Sequence, residues 1–422
     1  MSSSGIVISH PTRILQGTVT PPASKSESNR ALIIEALSDA GSQLQNLSEA
    51  NDTQVITRLL KSTESELNAE DAGTVMRFMT AYLAVTGQHK TLTGTPRMLQ
   101  RPIGILVEAL RQLGAQIDYL GQEGYPPLTF RGFNQNQKSL AQLKVRGDIS
   151  SQYISALLMV APLFPDGLTL ELQGKIGSRP YIQMTLALMQ HFGVESTFAG
   201  NTITVPAQKY GRAIYTIESD WSGASYWYSM VALAQEAQVE LKGLRQHSFQ
   251  GDSVIANIML NIGVATTFSS QGVLLAKTNN LQSFSYDFSD CPDLAQTVAV
   301  VCAAKGIAAE MTGLESLRIK ETDRIAALQN ELRKIGGDLE DCGNGLFRVK
   351  PASAIAGTPV FQTYEDHRMA MAFAPLALLT RIQIEEPQVV RKSYPRYWEN
   401  LAAMDFTLEH KYNDRISELE SE

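Results

Sequence analysis

Residues 320–337 read KETDRIAALQNELRKIGG, and their pattern organises the rest of the chain. Ile325, Leu328, Leu332 and Ile335 recur at helical spacing and form one apolar face, while Gly336 supplies a left-handed cap before a strand-like run. The same phrase, in which a helical apolar pattern ends on a bulky residue, a glycine and a small residue, occurs at Leu113-Gly114-Ala115, Phe192-Gly193-Val194 and Ile262-Gly263-Val264. The glycines lie roughly 70 to 80 residues apart, room for a unit of two helices and several strands. Because many unrelated helices end on glycine, the repeat needs a second signal.

That signal comes from small or polar clusters that open apolar helical stretches. They are Lys25-Ser26-Glu27-Ser28-Asn29-Arg30, Ala72-Gly73-Thr74, Ser150-Ser151-Gln152, Ser222-Gly223-Ala224-Ser225, Pro292-Asp293 and Asp366-His367-Arg368. Six such clusters predict six units. A helix N-terminus carries unpaired N–H groups and partial positive charge, so several aimed at one place make an anion trap, although any one alone is an ordinary cap. Strand-like Gly5 to Ser9 and Ile14 to Val19 precede Pro21-Pro22, which interrupts regular structure before the first cluster. The charged tail from Glu409 reads as a short exposed helix or a frayed end.

Composition narrows the class. A chain of 422 residues with 44% hydrophobic and 19% charged residues has the make-up of a globular protein of two to three domains. Its net charge of -7 disfavours polyanions such as DNA or RNA, but leaves small anions free to bind where cations cluster. Cys291, Cys302 and Cys342 are odd in number, lack metal-ligand spacing and point to a reducing compartment. The apolar runs Ile154 to Phe164 and Met369 to Leu379 are too short to span a membrane, and Met1 to Arg13 shows no secretory signal. The expectation is a soluble cytoplasmic protein without a metal, its histidines being scattered, with His89 and His247 in turns.

Arg and Lys beside Ser, Thr or glycine suit phosphates and carboxylates, because the cation neutralises charge while hydroxyls and backbone N–H groups orient it. Such groupings occur at Lys25, Ser26 and Arg30, at Gly73, Thr74 and Arg77, at Arg101, at Lys320, Glu321 and Arg324, at His367-Arg368, and at Arg391-Lys392. Each alone is as readily a solvated surface. If helical spacing already holds at Lys320, it shares a face with Arg324 and Glu321 stands at the helix entrance. The same charges could simply cap that helix with ion pairs.

In sum these motifs resemble the 5-enolpyruvylshikimate-3-phosphate synthases, from about Pro22 to Tyr397. The ordered matches are Ser24-Lys25-Ser26 with Ser28-Asn29-Arg30, Ala72-Gly73-Thr74 with Arg77, Pro96-Arg97-Met98 with Arg101-Pro102-Ile103, Ser150-Ser151-Gln152, and Ser178 with Pro180-Tyr181. They continue through Gln250-Gly251-Asp252, Pro292-Asp293, Lys320-Glu321-Thr322-Asp323-Arg324, Asp366-His367-Arg368-Met369-Ala370 and Lys392. The resemblance implies an α/β chain of the α+β type with the enolpyruvate transferase fold, in which two similar domains of three βαβαββ units each close like a clam. The first lobe would comprise residues 1–20 and 219–422, and the second residues 21–218.

The implied reaction transfers the enolpyruvyl group of phosphoenolpyruvate to the 5-hydroxyl of shikimate 3-phosphate, releasing phosphate, on the shikimate pathway to chorismate and aromatic amino acids. No cofactor, nucleic acid or membrane is implied, and the chain is expected to be a monomer. By resemblance, Lys25, Ser26, Arg30, Ser150, Ser151, Gln152, Ser178 and Tyr181 hold shikimate 3-phosphate, joined by Asp293, Ser316 and Lys320. Lys25, Gly73, Thr74, Arg77, Arg101, Gln152, Arg324, His367, Arg368 and Lys392 hold phosphoenolpyruvate. Asp293 is the implied base and Glu321 the implied acid, while Lys25, Lys392 or His367 assists the departing phosphate. The two substrates together carry roughly -5 to -6, which eight cations and the helix ends can neutralise. Neighbouring cations should favour ionised Glu321, against its role as a proton donor, unless closure and substrate charge restore the balance.

Departures from the family pattern are Asp71 and Glu365 where Asn is usual, Phe78 where Pro often follows the loop arginine, Ser316 for Asn, and Arg179 for Lys. Asp71 puts affinity for phosphoenolpyruvate and the inhibitor glyphosate in question. One alternative is the sister transferase acting on UDP-N-acetylglucosamine, which usually has a loop cysteine that this chain lacks before Cys291. Others are a phosphometabolite-binding protein without turnover, and an RNA-processing role by analogy with RNA 3'-phosphate cyclases.

Overall fold

The structure is a computed structural model that describes residues 4–38, 41–133, 142–147, 150–174, 176–353 and 355–412. The chain divides into two compact units, Ala23–Glu218 and the pair of segments Met1–Pro22 and Ser219–Glu422. The first of these is one continuous stretch inserted into the second.

In the discontinuous unit, three four-stranded sheets repeat one topology. Taken in spatial order, the first holds Ile14–Val19, Glu236–Lys242, Gly272–Lys277 and Val264–Phe268. The second holds Phe284–Asp287, Ala309–Thr312, Phe347–Lys350 and Asp338–Asp341, and the third Val360–Phe361, Ile382–Glu385, Gly5–Ser9 and Thr407–Lys411. In each sheet the first pair is parallel and the other two are antiparallel. A parallel pair needs a crossover helix, and in the first two sheets a hairpin then completes the unit, which is the βαβαββ sequence; in the third the closing antiparallel pair, Gly5–Ser9 with Thr407–Lys411, joins segments about 400 residues apart.

The continuous unit has two sheets of the same design, Glu66–Asn68, Thr91–Thr93, Leu128–Phe133 and Ala115–Tyr119, then Gln142–Arg146, Leu168–Gln173, Thr202–Val205 and Thr197–Ala199. Its third departs from the expected six equal units. Among the described residues it is only a parallel pair, Ile214–Thr216 with Gln43–Gln45. The tail expectation is also corrected: Glu409, His410 and Lys411 pair with Val7, Ile6 and Gly5 in a strand, while residues 413–422 lie outside the described residues. Alternation, not net charge, governs that segment, because Leu408 packs on the core while its neighbours face solvent.

All six predicted clusters do open helices. These are Lys25–Leu37, Gly73–Thr86, Ser151–Val160, Trp221–Leu233, Ala295–Lys305 after a turn at Pro292–Leu294, and His367–Phe373. Trp221–Leu233 is buried along almost its whole length, as a helix apolar on every face must be. It packs against Ala295–Lys305, which packs against His367–Phe373. In the other unit, Gly73–Thr86 touches both Lys25–Leu37 and Ser151–Val160. Each unit is therefore a helical core wrapped by small sheets, with polar helix tips at its margin. The predicted glycine returns are present too, Gly114, Gly193, Gly263 and Gly336 all having positive φ. Among the described residues, no helix is long and apolar enough to cross a membrane.

Candidate functional site

In Ala23–Glu218 the cations are held by hydroxyls, carbonyls and aromatic faces. The Arg30 side chain turns inward from the Lys25–Leu37 helix, where Nε donates to Thr185 Oγ1 at 2.8 Å and one Nη donates to Ser155 Oγ at 3.0 Å. The other Nη donates to the Ser26 carbonyl at 2.8 Å, and the guanidinium stands over the Phe78 and Tyr181 rings. Phe78, the residue that replaces the usual proline, thus floors Arg30. Burial pulls this guanidinium down to about 10, against the opposing pull of Tyr181 and Glu27. Lys25, by contrast, pairs with the buried carboxylate of Asp52 at 3.2 Å.

The tips of Gly73–Thr86 and Ser151–Val160 meet where Gln152 Nε2 donates to Thr74 Oγ1 at 2.9 Å. Ser150 caps the second helix by accepting from the Gln152 N–H, and Ser151 is buried beside it. Arg77 donates to the Gly73 carbonyl at 2.8 Å and lies over Tyr153, whose hydroxyl donates to the Pro102 carbonyl at 2.5 Å. Tyr153, which the sequence reading missed, therefore ties Arg77 to the Arg101-Pro102 segment. A Cβ built on Gly73 would stand 2.6 Å from an Arg101 Nη and 2.7 Å from an Arg77 Nη, so the glycine is what lets the two guanidinia converge. Ser178, at φ 52, precedes the helix that carries Tyr181. Asp71 accepts from the Thr95 hydroxyl and so braces its own loop.

The other unit arranges carboxylates around one guanidinium. Arg324 Nε donates to Asp366 Oδ2 at 2.6 Å, one Nη to Asp293 Oδ1 at 3.0 Å, and the other to Glu321 Oε2 at 2.8 Å. Only 2% of the Arg324 side chain is exposed. Burial alone would lower its pKa, but Asp366, Glu321 and Asp293 outweigh burial and raise it. Arg368 donates to Asp293 Oδ2 at 2.9 Å and to the Tyr226 hydroxyl at 3.3 Å, and Lys392 Nζ lies 3.2 Å from Glu321 Oε1. Burial would raise the Asp293 carboxyl, yet Arg368, Lys320 and Arg324 overcome it and hold that group well below the usual carboxylate range. Asp366 caps His367–Phe373 through the Arg368 N–H at 2.8 Å, which fixes buried His367 at the tip.

Two details differ from the sequence expectations. The helix begins only at Arg324, capped by Asp323, and Lys320 has non-helical backbone after the turn Glu315–Ile319, so Lys320 and Arg324 share no helical face. Asp323 supplies a local hydrogen bond that outcompetes another helical turn. Arg324, expected beside a substrate, has its guanidinium committed to three carboxylates. Ser316 lies exposed on that same turn.

Asp252, from Gln250-Gly251-Asp252, is a further member. One of its carboxyl oxygens accepts from the Ser222 hydroxyl, and the other is buried without a hydrogen-bond partner among the described residues. Burial first, then the charge of Asp293, push this carboxyl up to about 7 against Arg368 and Ser222. A hydrogen-bonded tip of this kind can bind anions and, through Asp293 and Glu321, exchange protons with them.

A family model described as EPSP synthase (3-phosphoshikimate 1-carboxyvinyltransferase) matches residues 9–71 and 57–401. The chain is 48% identical over 408 residues to the 3-phosphoshikimate 1-carboxyvinyltransferase of Bacteroides fragilis strain YCH46, covering 95% of this chain and 98% of that one. It is 35% identical over 426 residues to the enzyme of the same name from Pectobacterium atrosepticum, covering 94% and 97%. Among solved structures, an EPSP synthase from Acinetobacter baumannii aligns with a TM-score of 0.79 at 20% identity over 96% of this chain and 100% of that chain, which is a likeness of fold.

Proposed function

The chain belongs to the EPSP synthase family, and from that premise we propose how its residues share the family's reaction. The chain transfers the enolpyruvyl group of phosphoenolpyruvate to the 5-hydroxyl of shikimate 3-phosphate and releases phosphate. In our reading, Ala23–Glu218 receives shikimate 3-phosphate on Lys25, Ser26, Arg30, Ser150, Ser151, Gln152, Ser178 and Tyr181. It also offers Gly73, Thr74, Arg77 and Arg101 to phosphoenolpyruvate. The other unit contributes His367, Arg368 and Lys392 to phosphoenolpyruvate, and Asp293, Ser316 and Lys320 to the shikimate ring. Arg324 acts by holding Asp293, Glu321 and Asp366 in place. The enzyme works as a cytoplasmic monomer.

Glu321 gives a proton to the methylene carbon of phosphoenolpyruvate, the neighbouring carbon becomes cation-like, and the 5-hydroxyl oxygen bonds to it as Asp293 takes the hydroxyl proton. The tetrahedral adduct then returns a proton from its new methyl group to the Glu321 carboxylate, its carbon–oxygen bond to phosphate breaks, the double bond returns, and phosphate leaves with the proton that Asp293 took. Without substrate, Arg368 neutralises Asp293 and Lys392 neutralises Glu321. Anionic phosphoenolpyruvate competes for both cations, so its arrival draws Arg368 and Lys392 off the carboxylates, which Arg324 still holds in place, and raises their proton affinity. Substrate charge thereby resolves the difficulty of using an acid flanked by cations.

The observation that carries this reading is the attachment of both Asp293 and Glu321 to the single guanidinium of Arg324. Phosphate release measured with both substrates, and with shikimate 3-phosphate omitted, tests it. Release should require both, and Asp293→Asn should slow it by about 10²- to 10⁴-fold while substrate binding persists. Binding of both substrates without release would instead establish the non-catalytic phosphometabolite-binding reading.

A further inference from the structure

We propose that Glu331 is a positioning residue that clamps the turn presenting Asp366, His367 and Arg368. Its side chain is fully buried on the helix Arg324–Arg333, seven residues beyond Arg324 and therefore on the same face, about 10 Å along the axis. One carboxyl oxygen accepts from the Tyr364 hydroxyl at 2.7 Å. The other accepts from the Gln362 backbone N–H at 3.0 Å and from Lys334 Nζ at 2.6 Å. Glu331 touches none of the groups assigned to substrate or proton transfer.

What it grips is a turn that its own residues do not favour. The Asp366 N–H donates to the Thr363 carbonyl at 2.9 Å, and the two residues between, Tyr364 and Glu365, have φ of 54 and 55. A turn with positive φ at both central positions is ordinarily made of glycine, asparagine or aspartate. Tyrosine and glutamate there must be held from outside. Glu331 supplies that hold at Gln362 and Tyr364, while Arg324, on the same helix, takes Asp366 on the far side of the turn. One helix thus fixes the segment at both ends. An apolar side chain could fill the space of Glu331, so a buried carboxylate with three donors indicates direction rather than bulk.

The kinetic arm rests on the function proposed above, in which Arg368 and His367 meet phosphoenolpyruvate. Tyr364→Phe and Glu331→Gln should each raise the KM for phosphoenolpyruvate about tenfold, with the KM for shikimate 3-phosphate within about twofold of wild type. Adding Glu365→Asn to Tyr364→Phe should restore most of the affinity, because asparagine accepts the left-handed conformation unaided. Hydrogen exchange at the amides of residues 366–370, followed without substrate, should quicken in Tyr364→Phe and slow again in the double variant. Unchanged exchange and unchanged KM in Tyr364→Phe would overturn the clamp, as would a loss shared equally by both substrates in proportion to unfolded protein. A wild-type chain that releases no phosphate would overturn the proposed function alone, since the exchange measurement still decides the clamp.

Discussion

Arg30 and Arg324 are both buried guanidinia, one in each unit, yet their surroundings are opposite in kind. Arg30 rests among Thr185, Ser155, a carbonyl and two rings, whereas Arg324 joins three carboxylates. Neutral partners leave a cation's charge available to an incoming anion, while carboxylate partners cancel it and are themselves held ready. The contrast teaches that one margin leaves a buried cation uncancelled and the other uses its own to align carboxylates, which in the function proposed above is a division between receiving charge and moving protons.

The strongest way to break this contrast is to remove each guanidinium. Arg324→Met should lose about 3–5 kcal/mol and all turnover, because three carboxylates are left facing one another. Arg30→Met should lose only about 1–3 kcal/mol, because the Thr185 hydroxyl already donates to Ser155 at 2.9 Å and the pair stays satisfied. Urea unfolding of the two variants measures both, and equal losses would dissolve the distinction.

A smaller effect sharpens the receiving side. Gly73→Ala puts a methyl group against the Arg77 and Arg101 guanidinia, which must swing away. The KM for phosphoenolpyruvate should rise about tenfold, the loss of roughly one charge-assisted hydrogen bond, while the unfolding midpoint holds or rises because alanine favours helix. Titration with phosphoenolpyruvate and a thermal melt separate the two outcomes.

The last test probes the carboxylate-rich side through pH. Asp252 keeps its proton up to about 7 in the folded chain, but an unfolded carboxyl loses it near the ordinary value of about 4. Its contribution to stability is therefore complete below that ordinary value and disappears as pH climbs to about 7. Asp252→Asn should flatten this part of the stability–pH curve measured by urea unfolding, and an unchanged slope would reassign the proton.

The six helix openings and four glycine returns were legible in sequence because capping and left-handed turns are decided by neighbours a few positions away. The strands Gly5–Ser9 and Ile14–Val19 were legible for the same reason. The ligand sets were not derivable from spacing and came from family resemblance. Tyr153, Asp52 and Glu331 escaped notice because their partners, Pro102, Lys25 and Tyr364, are far off along the chain and meet them only on folding, and Asp252, named in its motif, was given no role because Ser222 is equally distant. The shortened third sheet of Ala23–Glu218 escaped for a related reason, as its two strands lie at opposite ends of that unit. One clue was noted without its consequence: Glu365, where the family pattern has asparagine, sits at a position of positive φ.

The placement of Gly5–Ser9 between Ile382–Glu385 and Thr407–Lys411 bears on how the chain matures during synthesis. Ala23–Glu218 is continuous and can fold as soon as it leaves the ribosome. The opening strand must wait for partners made more than 370 residues later, roughly 20 seconds to over a minute at about 5–20 residues per second. Throughout that interval Ile6 and Ile8, destined for the core, have no sheet to join, and the nascent segment keeps its apolar side chains in water.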